Sequence, residues 1–236
     1  MDPALYFTLV LSGLHVATLL AVWGVFSLLF ARGIGVRFQV AGGKAPDAEL
    51  LRAAARETLA GQLGFALLVY FAVYPLWQAR GGSMEAPLPG VVTTGLHLLV
   101  FILANDTIFY WAHRGLHTRY CFQRIHARHH RFRYVRGPVA EYAHPLENAA
   151  NLVAFFAGPV LMGSPFPVVA LWTVVRIFET VEAHSGYAFT ASASRHAFHH
   201  LYASKGCLGS FFGIWDRLMG TDVQWRAWRK EQPTDL

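Results

Sequence analysis

The chain has 236 residues, of which 54% are hydrophobic, 14% aromatic and only 14% charged, and its formal net charge is +6. A typical soluble domain carries about 25% charged residues, so the composition argues against a water-soluble protein and for a membrane. The length suits one domain, and Cys121 and Cys207 have no CxxC spacing, which excludes a disulfide framework and a thiolate metal site.

The first apolar run covers 4–31. It follows Met1-Asp2-Pro3, which has no basic residue, and it is too long for the core of a secretion signal, so it reads as a span. A basic loop at 32–57 follows, with Arg32, Arg37, Lys44, Arg52 and Arg56, and residues 38–50 within it read as plain loop. Further apolar runs cover about 58–79 and about 90–112, each near the roughly 20 residues that cross a bilayer core. The loop at 80–89 has Arg80 as its one basic residue, whereas Arg114, Arg119, Arg124, Arg128, Arg131, Arg133 and Arg136 crowd the next segment. Basic residues collect on the cytoplasmic side of membrane proteins. The 32–57 loop and the 113–148 segment are therefore expected in the cytoplasm, against anionic lipid headgroups, with the N-terminus outside. The same distribution removes the case for nucleic acid, because the positive charge flanks apolar runs.

Residues 149–162 and 166–181 are shorter apolar stretches, separated by Gly163-Ser-Pro165-Phe-Pro167. Proline ends helices by losing an N–H and clashing with the preceding turn. The region reads as a helical hairpin that dips into the membrane and returns, or as two short crossings. The fold class expected is an all-α integral membrane protein of about four transmembrane helical units under a cytoplasmic His-rich helical cap. Residues 1–236 form one membrane-embedded domain in this reading, with the His-rich part at about 95–225, and there is no internal repeat.

Ten of the twelve histidines lie between positions 113 and 200. Eight form three clusters, His113/His117, His126/His129/His130 and His196/His199/His200, and His144 and His184 lie between the last two. Spacings of three and four place each cluster on one face of a helix, aimed at a common point. So many imidazoles exceed the three or four protein ligands of a zinc site, and a pair of ions with about four or five nitrogens each accounts for the number. Imidazole suits Zn, Cu, Fe and Ni alike, so ligand type leaves the metal open. Tyr110 and Asp106 lie one and two turns before His113 on the same face. Asp106 is placed to accept the free ring N–H of a ligand histidine, and Tyr110 is either a partner in the site or an interfacial aromatic. His15 and His97, alone inside apolar helices, read as non-ligands.

Asp106-Thr-Ile-Phe-Tyr110-Trp-Ala-His113-Arg114-Gly-Leu-His117, followed by two HxxHH clusters, resembles the fatty acid hydroxylase/sterol desaturase superfamily. Ala140-Glu141-Tyr142-Ala143-His144-Pro145-Leu146-Glu147, Glu179-Thr-Val-Glu-Ala-His184-Ser185-Gly186-Tyr187 and Trp215-Asp216-Arg217-Leu-Met-Gly220-Thr221-Asp222 are similar to C4-methyl sterol oxidases. The resemblance implies a cytoplasmic non-haem centre of two Fe ions, with His144 and His184 completing the ligand set of His113, His117, His126, His129, His130, His196, His199 and His200. Glu141 and Glu147 would support the ligands, with Asp106, Tyr110 and Glu141 as the other candidate catalytic residues. Tyr187 and Trp215 would either line a substrate tunnel or pack.

The implied reaction is O2-dependent hydroxylation of an unactivated C–H bond in a membrane lipid, with a C4 methyl group of a sterol first among substrates. Fatty acyl, carotenoid or hopanoid hydroxylation or desaturation is the alternative, and a non-catalytic metal-binding membrane protein a remoter one. The chain has no GxGxxG or CxxCH, so electrons are expected from an external reductase/ferredoxin or cytochrome donor. The tail from Lys230 to Leu236 lacks a dilysine signal and the chain is shorter than the eukaryotic branch, which together suggest a bacterial cytoplasmic membrane.

Overall fold

The computed structural model describes residues 1–40 and 44–231. The expectation for the 38–50 loop therefore falls partly outside the described residues, and that for the tail falls outside them beyond Glu231. Among the described residues there is no strand, only an isolated bridge between Gln39 and Tyr187. The protein is an all-α integral membrane protein.

Among the described residues, three helices are long and apolar enough to cross a bilayer: α1 (Pro3–Ala31), α2 (Ala48–Ala79) and α3 (Val91–Leu116). Each leaves large apolar side chains exposed, such as Leu20, Val25 and Leu28 on α1, Leu68, Phe71 and Leu76 on α2, and Leu96, Leu99 and Leu103 on α3. Apolar surface on that scale suits lipid rather than water. Helix α1 starts where Asp2 Oδ1 accepts the Leu5 N–H at 2.9 Å, with Pro3 in the first turn.

Helix α2 corrects the sequence reading. It begins at Ala48, ten residues before the apolar run at 58, because Asp47 caps it by accepting the N–H groups of Glu49 and Leu50. Its first turns carry Glu49, Arg52, Arg56 and Glu57, so they belong to a water-facing extension of the span. A π-helical turn interrupts α2 at Gln62–Ala66, a distortion frequent at functional sites.

Helix α4 (Arg119–Arg124) and two 3-10 turns, His126–Arg131 and Gly137–Glu141, lead into a hairpin of α5 (Pro145–Met162) and α6 (Phe166–Ala183). Gly163 reverses the chain at φ +53°, a left-handed conformation that glycine adopts without a Cβ clash. The tip is pinned to the end of α2 and the loop after it: Trp77 Nε1 donates to Ser164 O at 2.9 Å, and Phe166 N to Ser83 O at 2.9 Å. His97 Nδ1 lies 2.7 Å from Ser164 Oγ. The other end of the hairpin meets the histidines through Glu147 and His184. It therefore leaves and returns at the same end of the bundle. Helix α7 (Ala191–Leu201), α8 (Ile214–Met219) and α9 (Val223–Lys230) complete the cap.

Between spanning helices, lipid removes most of the hydrophobic drive, so close packing and polar contacts must hold the bundle. At the tip end, Phe7, Tyr70, Tyr74, Trp77, Phe101, Phe155, Phe156 and Trp172 form one buried aromatic core. Gly158 lets α5 approach α3: a Cβ there would stand 2.5 Å from Phe101 Cα.

Candidate metal centre

Nine histidines meet in two adjoining groups. His113, His117, His126, His130 and His199 form one, and His129, His184, His196 and His200 the other, with the donor atoms of each group within 4.8 Å of one another. In each HxxHH cluster the outer pair, four residues apart, joins one group and the middle residue joins the other. His126 and His130 thus join the first group and His129 the second, whereas His196 and His200 join the second and His199 the first. This differs from one common target per cluster. The middle cluster lies on a 3-10 turn rather than an α-helix, and neighbouring side chains on either element diverge.

The rings are locked from behind. The Nδ1 atoms of His113, His129, His184, His199 and His200 contact the backbone carbonyls of Leu208, Tyr142, Thr180, Gly206 and Phe132 at 2.8–3.1 Å. A carbonyl only accepts, so each Nδ1 carries the proton and each Nε2 presents a lone pair. His126 Nδ1 lies 2.9 Å from Glu147 Oε1, off the axis of a regular hydrogen bond. Burial, with the repulsion a protonated His129 would add, holds His117 down at about 4 and His184 at about 3, and burial holds His129 at about 4. These rings are neutral at pH 7.

The Nε2 atoms nevertheless face one another at 2.8–3.3 Å. For His129 and His184, 3.3 Å apart, both Nδ1 atoms are committed as donors, so two lone pairs meet with no proton between them. Buried acceptors opposed in this way are costly without a cation. The donor set therefore fits metal: neutral imidazoles of fixed tautomer, with carbonyls and a carboxylate behind them.

His144 stands outside both groups. It caps α5, its Nδ1 accepting the Leu146 N–H at 3.2 Å, with Pro145 in the first helical turn. Asp106 does not bond to a histidine ring. Its two oxygens accept the N–H groups of Phe211 and Phe212, each at 2.9 Å. Asp216, which the motif reading passed over as a site residue, accepts the N–H groups of Leu208 and Gly209, each at 2.7 Å. The two carboxylates fasten the loop whose Leu208 carbonyl orients His113. Asp106 is thus a positioning residue acting through backbone. Tyr110 contacts Thr221 Oγ1 at 3.2 Å, accepts from Arg114 Nη1 at 3.2 Å and stacks near Trp215. Tyr187 lies within Phe26 and Phe189. Tyr110, Tyr187 and Trp215 pack against these neighbours and do not line the cavity.

That cavity, of about 210 Å³, has His113, His126, His129, His184 and His196 in its wall. Phe65, Leu152, Phe155 and Ile177 form apolar wall, and Phe65 is also exposed on the outside of α2. Glu141 lines it too, but against His15 rather than the metal-binding groups. His15 Nε2 is 2.7 Å from Glu141 Oε1, Tyr70 Oη is 2.6 Å from His15 Nδ1, and Gln62 Nε2 donates to Glu141 Oε2 at 2.6 Å. Burial raises the Glu141 carboxyl, and His15 beside it, with Arg176 and Gln62, outweighs that and holds it below its usual range. His15 lies outside both histidine groups, yet it is a cavity residue, which the sequence reading missed. No local signal could have shown it, because its partner is 126 residues away.

Residues 98–221, more than half of the chain, match the profile of the fatty acid hydroxylase family. The chain is 38% identical over 165 residues to the very-long-chain aldehyde decarbonylase GL1-11 of Oryza sativa, covering 65% of this chain and 62% of that protein. It is 36% identical over 172 residues to methylsterol monooxygenase 2-2 of Arabidopsis thaliana, covering 68% and 65%. It is 31% identical over 195 residues to fatty acid hydroxylase domain-containing protein 2 of Homo sapiens, covering 80% and 57%. The chain thus spans less than two thirds of the length of each of these three. No solved structure matches it. The extent of the profile match, together with the histidine pattern it encloses, establishes that the chain belongs to the fatty acid hydroxylase family, and it is also similar to methylsterol monooxygenases.

Proposed function

We propose that this protein is a membrane monooxygenase that hydroxylates an unactivated C–H bond of a lipid at a non-haem centre of two Fe ions. The observation that carries this reading is the double convergence of neutral, carbonyl-locked imidazoles on one cavity. The five-histidine and four-histidine groups are the proposed ligand sets, and His144 is assigned to helix capping. Iron held there would supply the activation of O2 that amino-acid side chains lack.

The chain's own residues do the rest. The carbonyls of Leu208, Tyr142, Thr180, Gly206 and Phe132 hold five ring tautomers. Phe65, Leu152, Phe155 and Ile177 exclude water from the reacting carbon. Each turnover consumes O2, two electrons and two protons and releases one water with the alcohol. The electrons come from a separate reductase/ferredoxin or cytochrome.

The lead substrate is a C4 methyl group of a sterol, supported by the resemblance to methylsterol monooxygenases. A long-chain aldehyde is the second reading, favoured by the 38% identity to proteins named aldehyde decarbonylases. The site faces the cytoplasm in this proposal, because Arg114, Arg119, Arg124 and Arg131 lie on the segments that carry the histidines. Residues 1–236 act as one membrane-embedded domain, since helices from both halves line the cavity.

The test is anaerobic purification with iron supplied. Bound metal is measured, and 4-methylsterols, a very-long-chain aldehyde and a total lipid extract are then offered with O2 and a reductase–ferredoxin pair. About two irons per chain with oxidised 4-methylsterol supports the full reading. Iron with a different oxidised lipid replaces the substrate. An intact protein that takes up no iron overturns the reading.

A further inference from the structure

The cavity has a second polar feature that the metal reading leaves unused. His15 lies in α1 and Tyr70 and Gln62 lie in α2, so His15 and Gln62 reach Glu141 from spanning helices, with Tyr70 behind His15 on its other ring nitrogen. Ionisable groups inside a membrane bundle are costly and mark function more often than glue. A buried charged pair also adds little stability over apolar residues of the same size.

Glu141 Oε1 takes His15 Nε2 and Oε2 takes Gln62 Nε2, one partner per oxygen. A carboxylate has about four acceptor positions, so capacity is left on each oxygen. The side chain keeps 13% of its surface exposed and lines the cavity. Of the other charged groups in that wall, Glu57 pairs with Arg128. Arg176 donates to Glu179 at 2.7 Å, to Asn105 at 3.2 Å and to Thr180. Glu179 Oε1 also accepts from Ser192 and Ser210. Glu147 Oε2 has no hydrogen-bond partner, but Glu147 is 6% exposed and faces His126 of the five-histidine group.

We propose that Glu141, held by His15 and Gln62, is the polar anchor of the lipid site and accepts a hydrogen bond from a hydroxyl group of the substrate. This rests on the lipid-oxygenase reading and deepens it. An anchor that accepts selects a neutral lipid alcohol. It has nothing to offer a hydrocarbon or an aldehyde, which carry no donor, and it repels a free carboxylate. The anchor therefore favours a hydroxyl-bearing sterol over a long-chain aldehyde.

The experiment is equilibrium binding to the full-length protein in nanodiscs, loaded with zinc so that no turnover occurs. The probes are cholestanol and hexadecan-1-ol, each beside its methyl ether, which keeps the shape and removes the donor. A hydrogen bond to a charged acceptor is worth about tenfold or more in affinity. Wild type is expected to prefer at least one alcohol over its ether by that factor, and Glu141→Leu with normal zinc content to bind the two equally. Which alcohol shows the preference distinguishes a sterol from a straight chain. Equal binding of alcohol and ether by wild type, or a preference that survives Glu141→Leu, overturns the anchor. If Glu141→Leu does not hold zinc, Glu141→Gln carries the test: a preference reduced severalfold is expected, and an unchanged one overturns the proposal. Because binding is read without turnover, the two readings fail separately. Alcohol preference without oxidation by the iron form sinks the oxygenase alone, and oxidation without alcohol preference sinks the anchor alone.

Discussion

The nine grouped histidines and the three outside them, His15, His97 and His144, differ in what their ring nitrogens meet. Five of the nine give Nδ1 to a backbone carbonyl and turn Nε2 toward another histidine. Each of the three outside is instead satisfied by an ordinary partner: His15 by Tyr70 and Glu141, His97 by Ser164, and His144 by the Leu146 amide. All twelve are the same residue in a similarly apolar chain. In those five, a carbonyl at the far nitrogen leaves the near lone pair free for a cation.

Breaking the contrast should show first in the groups themselves. His129→Ala and His199→Ala each remove a locked ring, and turnover is expected to vanish while membrane insertion persists. Metal affinity should fall beyond the roughly 10–100-fold typical of an outer partner. Metal per chain and product together check this, and full activity in either variant would break the assignment.

Loss of the loop clamp should be milder. Asp106→Ala releases the Phe211 and Phe212 amides and loosens the carbonyl that orients His113. Metal affinity is expected to drop about 10–100-fold, measured by competition with a chelator. Unchanged affinity would show that His113 needs no such orientation.

Packing supplies the control. Gly158→Val pushes a side chain into Phe101 and is expected to cost about 1–3 kcal/mol of stability, seen as a lower melting point in detergent, with metal content kept at temperatures where the protein is folded. Metal loss in the folded variant would mean that the centre depends on helix spacing rather than ring locking.

The smallest effect belongs to His144→Ala, which removes a helix cap. About 0.5–2 kcal/mol of stability should go with metal content unchanged. A loss of one ion per chain would place His144 among the ligands after all.

Much of this protein was legible in the chain itself. The three apolar runs, the proline-broken hairpin and the histidine spacing follow from local composition and period, which a sequence carries directly. Two further signals were present and underused: Asp47 before Ala48-Glu49 marks the true start of α2, and a histidine before Pro145 marks a helix cap. Tertiary structure alone decided the rest. The partition of HxxHH residues between two groups depends on a 3-10 turn facing an α-helix. The role of Asp106 depends on a loop about 105 residues away. The pairing of His15 with Glu141 joins a spanning helix to a turn near the centre of the chain. A sequence states which side chains a helix presents to one side, but a hydrogen bond needs two groups within about 3 Å, and only the packed bundle brings distant ones that close.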